Sequence, residues 1–437
     1  MKLRQLRSNF PRFDGPARPL LAGTFAYALG RGMYSTGGIV FFTLSFGLPV
    51  QQIAVALSGA GIAACAAALP AGYLTDRWGP RRMALVMTTA QVVLLAPLLL
   101  SGSPLIVLPV VVALGAADRV NSIARRALVS EVMGESARVR TQAYMRTMAN
   151  TGMSLGALAV APLLAVGTRS AFVFLIVLTC GAYLLALVAT ARLPARLRTS
   201  PSSSVSPSAR RRQRSRAALP ERQRLAAFMT LGLLNGLFAL HISVLEVALP
   251  LWVTRHTDAP AWTVAALVFV NTVLAILLQV RASRGATSVG GAARALAVSA
   301  VFTALACILF ATTAAGTGVL VIGTLCLATV VLTAGELLQS AGEWGLSFGL
   351  APAQAQGRYI GAFSVGTTLQ DIVGPTLVGA VVVAYVPGGW LLLSAVLLAG
   401  AAVVIPMTRW VANLHADRDG HEEQVPVPLA STASSRR

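Results

Sequence analysis

Charge is scarce in this sequence: Asp, Glu, Lys and Arg make up 11% of its 437 residues, about half the share of a soluble domain. Lysine occurs once, at Lys2; with the excess of Ala, Val and Leu, this reads as codon bias and carries no functional weight. Four cysteines, Cys65, Cys180, Cys307 and Cys326, all fall in apolar runs. None has a close partner in sequence or a metal-ligand spacing, so they read as small buried hydrophobes and no metal site is expected. The four histidines, His241, His256, His415 and His421, are scattered. A membrane-embedded acyltransferase or hydrolase needs a clustered nucleophile, base or metal set, and that class ranks low. The chain is read as a non-enzyme without a cofactor. Nothing resembles a Walker motif, so ATP is not the expected energy source. The first apolar run is long, lacks a convincing cleavage site and is followed at once by more such runs, so no cleavable signal peptide is expected.

What is present is hydrophobic length. Apolar residues make up 56% of the chain, and uncharged runs recur throughout, which is the pattern of an all-α, polytopic membrane protein. The formal charge of +20 does not point to nucleic acid, because the basic residues sit in short loops between apolar spans. Twelve transmembrane helices are predicted near 19–44, 50–74, 82–102, 105–127, 142–167, 170–191, 225–254, 260–281, 293–314, 317–340, 357–385 and 387–411. With the amino terminus in the cytoplasm, all but five of the 35 basic residues fall in cytoplasmic segments. Arg169 and Arg255 land outside; Arg31, Arg119 and Arg146 lie in or at the edge of spans. An odd number of spans would destroy that asymmetry, so both termini are predicted cytoplasmic.

Residues 1–18 form a basic arm, and the tail 412–437 is polar. The segment 192–224, rich in Ser and Pro, carries ten arginines against Glu221 and divides the spans six and six. It reads as a flexible linker between an amino-terminal bundle, 19–191, and a carboxy-terminal bundle, 225–411. Its polybasic run Arg210-Arg211-Arg212-Gln213-Arg214-Ser215-Arg216 would hold to anionic lipid.

Ionisable groups in hydrocarbon cost roughly 2.5–3.5 kcal/mol each on insertion scales and are functional candidates by default. Here they are Arg31 in span 1, Asp118 and Arg119 in span 4, Glu246 in span 7, Glu336 in span 10 and Asp371 in span 11. Spans 3, 6, 9 and 12 carry none in their cores. Spans 1, 4, 7 and 10 are every third helix, as expected of a three-helix unit repeated four times with its third helix facing lipid. Asn150, Asn235, His241, Asn271 and Gln279 would line the same central cavity. A carboxylate in a low-dielectric cavity can load and release a proton near neutral pH and so couple proton movement to cargo. Glu246 and Asp371, deep and without an adjacent arginine in sequence, are the leading carriers. Bland readings stand beside these: Asp118 and Arg119 could neutralise neighbours across a helix interface, Glu336 could reach the headgroups, and His241 could bond a carbonyl.

Between spans 2 and 3 lies Gly72-x-Leu74-x-Asp76-Arg77-x-Gly79-x-Arg81-Arg82. Gly72 permits close helix packing, Gly79 makes a turn, and Asp76 can face the positive amino-terminal end of another helix. The stretch resembles the loop 2–3 signature of the major facilitator superfamily, and the twelve-span layout extends the resemblance over nearly the whole chain. The resemblance implies two six-helix bundles rocking about a central cavity, with Asp76 latching onto span 11. It also implies that Arg77, Arg81 and Arg82 hold the loop to neighbouring helices and lipid. Gly335-Glu336-Leu337, Gly357-Arg358-Tyr359-Ile360-Gly361 and Gly374-Pro375 are similar to the twelve-helix drug:proton antiporters of that superfamily. In that branch the Gly-Pro signature of span 5 is here Gly156 followed by Ala161-Pro162, and Arg119 lacks the Gln-Gly that follows the span 4 arginine. The resemblance implies a monomeric plasma-membrane exporter that exchanges protons for a small, largely apolar compound. Uptake or lipid translocation by the same fold, and a sensor without flux, remain open alternatives, as does the charge of the cargo.

Overall fold

The structure, a computed structural model, describes residues 17–44, 49–100, 103–133, 135–166, 168–193, 221–260, 262–315, 318–352 and 355–416. The basic arm through residue 16, nearly all of the 192–224 linker with its polybasic run, and the tail beyond 416 lie outside the described residues. Those residues form twelve long helices: α1 Ala17–Leu44, α2 Val50–Trp78, α3 Pro80–Leu100, α4 Pro104–Val132, α5 Glu135–Val166, α6 Arg169–Ala191, α7 Glu221–His256, α8 Trp262–Ala282, α9 Val289–Thr312, α10 Val319–Gly349, α11 Gln356–Ala384 and α12 Gly388–Ala416. Eleven of them, α2 to α12, are long and apolar enough to cross a membrane. Helix is the form that satisfies every backbone N–H and C=O within its own segment, as hydrocarbon requires. Hydroxyls follow the same logic. Thr24, Thr88, Thr190, Thr303, Thr329 and Thr333 each donate to the carbonyl four residues earlier.

The first six helices pack on one another: α1 on α5 and α6, α2 on α4, and α3 on α4 and α6. The last six do likewise, with α9 on α10 and α12, α7 on α11 and α12, and α8 on α10. The two halves meet mainly where α2 lies along α11 and α5 along α8, with further contacts of α4 on α11 and α5 on α10. Helices α3, α6, α9 and α12 pack chiefly within their own half. They present large apolar side chains outward, among them Val93, Leu185, Val301 and Leu392, as lipid-facing helices do.

Three local features set up the site. Gly79, at φ 86°, ends α2 in a backbone conformation that L side chains rarely adopt, and its N–H donates to the Thr75 carbonyl. Gly72 lies so close to α11 that a Cβ there would run into the Gly357 carbonyl. Helix α7 is irregular: after a turn at Ala239 and Leu240 it winds as a π-helix over Val244–Ala248, with Glu246 inside that wider turn.

The span end that differs most from the sequence expectation is that of α10. The tenth was expected to end at 340; α10 runs to Gly349, because Ala341 to Phe348 are buried and stay helical despite their lower hydropathy. Glu336 is therefore thirteen residues from the helix end, about 20 Å at 1.5 Å per residue. It is buried and paired rather than reaching headgroups.

Candidate functional site

At the end of α2, Asp76 caps the start of α11. Its Oδ1 accepts from the Gly357 N–H at 2.6 Å and its Oδ2 from the Arg358 N–H at 3.0 Å. These are among the N–H groups that a helix leaves unsatisfied at its amino terminus, where the helix dipole also favours an anion. Arg358 Nε adds a contact at 3.3 Å, and its Nη1 reaches Glu221 Oε1 at 2.7 Å. Arg81 Nη2 donates at 2.5 Å to the carbonyl of Ala191, the last residue of α6. Arg77 and Arg82 are exposed at the same end, beside the half-exposed Trp78.

Deeper in, the halves are joined by ion pairs. Arg126 of α4 pairs with Glu343 of α10. Arg146 of α5 meets Glu336 of α10 at 2.7 Å. Arg119 of α4 meets Asp371 of α11 at 2.8 Å. Amides complete the acids' shells: Asn271 Nδ2 donates to Glu336 Oε2 at 2.8 Å and to Thr333 Oγ1 at 3.0 Å. Gln339 Nε2 donates to Glu343 Oε2 at 3.2 Å and to Asn235 Oδ1 at 3.0 Å. Among these acids, side-chain exposure is 6% at Glu343, 10% at Glu336 and 48% at Asp371, while their arginines stay between 16% and 27%. At Arg31 it reaches 51%.

The first half holds a cavity of about 220 Å³, with Arg31 and Asp118 on a wall that is otherwise mostly apolar. Arg31 Nη2 lies 3.5 Å from Asp118 Oδ2. The other carboxylate oxygen accepts from the Tyr27 hydroxyl at 2.5 Å. Gln91 Nε2 donates to that hydroxyl at 2.8 Å, and Asn121 Nδ2 donates to Thr88 Oγ1 at 3.3 Å. Behind them Arg125 is 6% exposed, its guanidinium 4.7 Å from the Tyr27 ring centroid. Its Nε and Nη2 have no hydrogen-bond partner among the described residues.

The expected residues thus divide. Asp118 and Arg119, adjacent in sequence and about 100° apart on the helix, serve different places: Asp118 faces its own bundle and Arg119 the other half. Asp371, without an arginine beside it in sequence, receives one from α4. Glu246 is exposed and makes no ion pair among the described residues. Asn150 is half-buried. His241 is buried with Nδ1 3.0 Å from the Phe238 carbonyl, which matches its bland reading. The residues that sequence reasoning missed are Arg125, Arg126, Glu343 and the Arg358–Glu221 pair. A signal for two of them was present. Arg126 follows Arg119 by seven residues, and Glu343 follows Glu336 by seven; seven residues are close to two helical turns, so each pair shares a face.

Residues 20–343 match the profile of the Major Facilitator Superfamily. Among solved structures the chain is similar to a bacterial homologue of the iron transporter ferroportin in the outward-facing state, at TM-score 0.68 and 13% identity over 91% of this chain and 100% of that one. It is similar to the human organic anion transporter TETRAN, at TM-score 0.63 and 17% identity over 90% and 98%. The E. coli fucose:proton symporter FucP in the outward conformation gives TM-score 0.63 and 16% identity over 91% and 98%. No curated protein matches the chain in sequence.

Proposed function

Because this chain belongs to the Major Facilitator Superfamily, we propose that it is a proton-coupled exporter of small, largely apolar compounds, working by alternating access in the plasma membrane. In this reading α1 is a twelfth span, both termini and the Asp76 end are cytoplasmic, residues 192–224 link the bundles 19–191 and 225–411, and the basic segments rest on anionic lipid. The protein works as a monomer without cofactor. The described state is closed to the cytoplasm and open to the outside.

One observation carries the reading: charged contacts span the halves from the Asp76 end inward, through Asp76 at the start of α11, Arg126–Glu343, Arg146–Glu336 and Arg119–Asp371. An interface closed by ion pairs is bistable, because breaking the pairs exposes groups that water can solvate. Three of the four contacts place a carboxylate in the second half: Glu343, Glu336 and Asp371. A proton delivered to such a group removes the charge that its arginine holds. Glu246, exposed and without an ion pair among the described residues, takes up the exchanged proton.

The test is pH-dye fluorescence in inverted vesicles holding an inside-acid gradient, challenged with lipophilic cations, anions and neutral compounds beside empty-vector vesicles. Cargo-dependent collapse of the gradient is the expected result. Cargo uptake that needs an opposite gradient, or flux with no proton movement, overturns the antiport reading.

A further inference from the structure

The charges around the cavity do not balance. Among the described residues, two guanidinium groups of the first half, Arg31 and Arg125, stand around Tyr27 and the one carboxylate there, Asp118. Arg119 does not enter this sum, because Asp371 neutralises it from the other half. Asp118 is also already served: its Oδ1 takes the Tyr27 proton at 2.5 Å. Arg31 meets only Oδ2, at 3.5 Å, with its side chain 51% exposed, and its donors fill no hydrogen bond among the described residues. Arg125 sits behind the Tyr27 ring, buried and without a carboxylate of its own. The surplus positive charge is thus fixed in the protein and reaches the cavity through Arg31.

From this geometry we infer that the cavity takes an organic monoanion, an apolar body carrying one carboxylate that Arg31 grips through its planar fork. The inference rests on the transport reading only in taking this cavity as the cargo site. A guanidinium offers paired N–H donors that match both carboxylate oxygens, and charge-assisted bonds of this kind are stronger than neutral ones. The remaining wall, with Ile53, Leu57, Leu95 and Val111, buries the apolar body. An ammonium head would meet the same surplus as repulsion, and at Asp118 Oδ2 it would sit beside the Arg31 guanidinium.

The experiment is equilibrium binding to the purified full chain in lipid nanodiscs. The probes share one body and differ in head group: 4-phenylbutyrate, 4-phenylbutanol and 4-phenylbutylamine. The carboxylate is expected to bind roughly tenfold or more tighter than the alcohol, and the amine weakest. Arg31→Gln should erase the difference between carboxylate and alcohol while alcohol binding persists. Should that variant not fold, Asp118→Asn carries the test: with the competing carboxylate neutralised, 4-phenylbutyrate should bind more tightly. Equal binding of the three probes, preference for the amine, no binding of the carboxylate, or weaker carboxylate binding by Asp118→Asn overturns the inference. Carboxylate selectivity without any proton movement in the vesicle assay would sink the coupling and leave this site standing.

Discussion

Arg119 Nη2 lies 2.8 Å from Asp371 Oδ2, and these two residues come from different halves of the chain. One position earlier on the same helix, Asp118 turns away to accept the Tyr27 hydroxyl. Adjacent residues of α4 thus divide two tasks, one joining the halves and the other setting the charge of a cavity. The division follows from helix geometry, which points neighbours about 100° apart.

Asp76→Asn is expected to leave the protein in the membrane yet cut transport. The amide keeps one acceptor oxygen but loses the charge that two N–H groups and Arg358 share. Bonds to a charged acceptor contribute about 1.5–3 kcal/mol, enough to shift the closed-to-open ratio roughly tenfold or more. Immunoblotting of membranes beside a flux assay reads both quantities. Unchanged flux would remove the latch role.

Gly72→Ala tests the same contact through shape alone. The new Cβ would meet the Gly357 carbonyl, so α2 and α11 must separate. A cysteine placed at buried Ser340 is expected to react faster with a membrane-impermeant maleimide from the Asp76 side in this background. An equal labelling rate would show that the close approach does not hold that end shut.

Glu343→Gln is expected to lower thermal stability in detergent, because it leaves Arg126 without its charge partner. Breaking a buried pair from one side costs about 3–5 kcal/mol, whereas replacing both partners with apolar groups is often neutral. Arg126→Met combined with Glu343→Leu should therefore melt above the single variant. Additive losses in the cycle of Arg126→Met, Glu343→Leu and the two combined would mean that the pair is not coupled.

Glu246→Gln is expected to spare cargo binding and abolish cargo-driven proton movement. Binding in nanodiscs and pH-dye traces in vesicles separate these effects. Persisting acidification changes on cargo addition would return the proton to Asp371 or Glu336.

The legible part of the site was the part written locally. Gly72, Asp76 and Gly79 fall within eight residues, and a turn at a helix end needs just such a set. The embedded charges were legible as well, since hydrocarbon makes each conspicuous. Their partners were not. No sequence spacing connects Arg119 with Asp371, 252 positions away. Glu343 escaped because hydropathy falls beyond residue 340 while the helix continues, buried by packing rather than by lipid. Arg125 and Arg126 fall among the basic residues assigned by sequence to cytoplasmic segments, whereas α4 carries Arg125 inside and Arg126 onto Glu343. For Arg126, the seven-residue spacing from Arg119 was the cue available.

The three deeper ion pairs that join the halves share a polarity, arginine from the first six helices and carboxylate from the last six, at Arg119, Arg126 and Arg146 alike; Asp76 with Arg358 runs the other way. A surface of this kind is a mating code. Two copies of the first half would confront guanidinium with guanidinium, and two copies of the second would confront carboxylate with carboxylate. If the chain were cut between residues 193 and 221 and its pieces made separately, each piece would be compatible with its complement and not with its own kind. Fidelity of assembly thus comes from the same charges that close one end of the cleft.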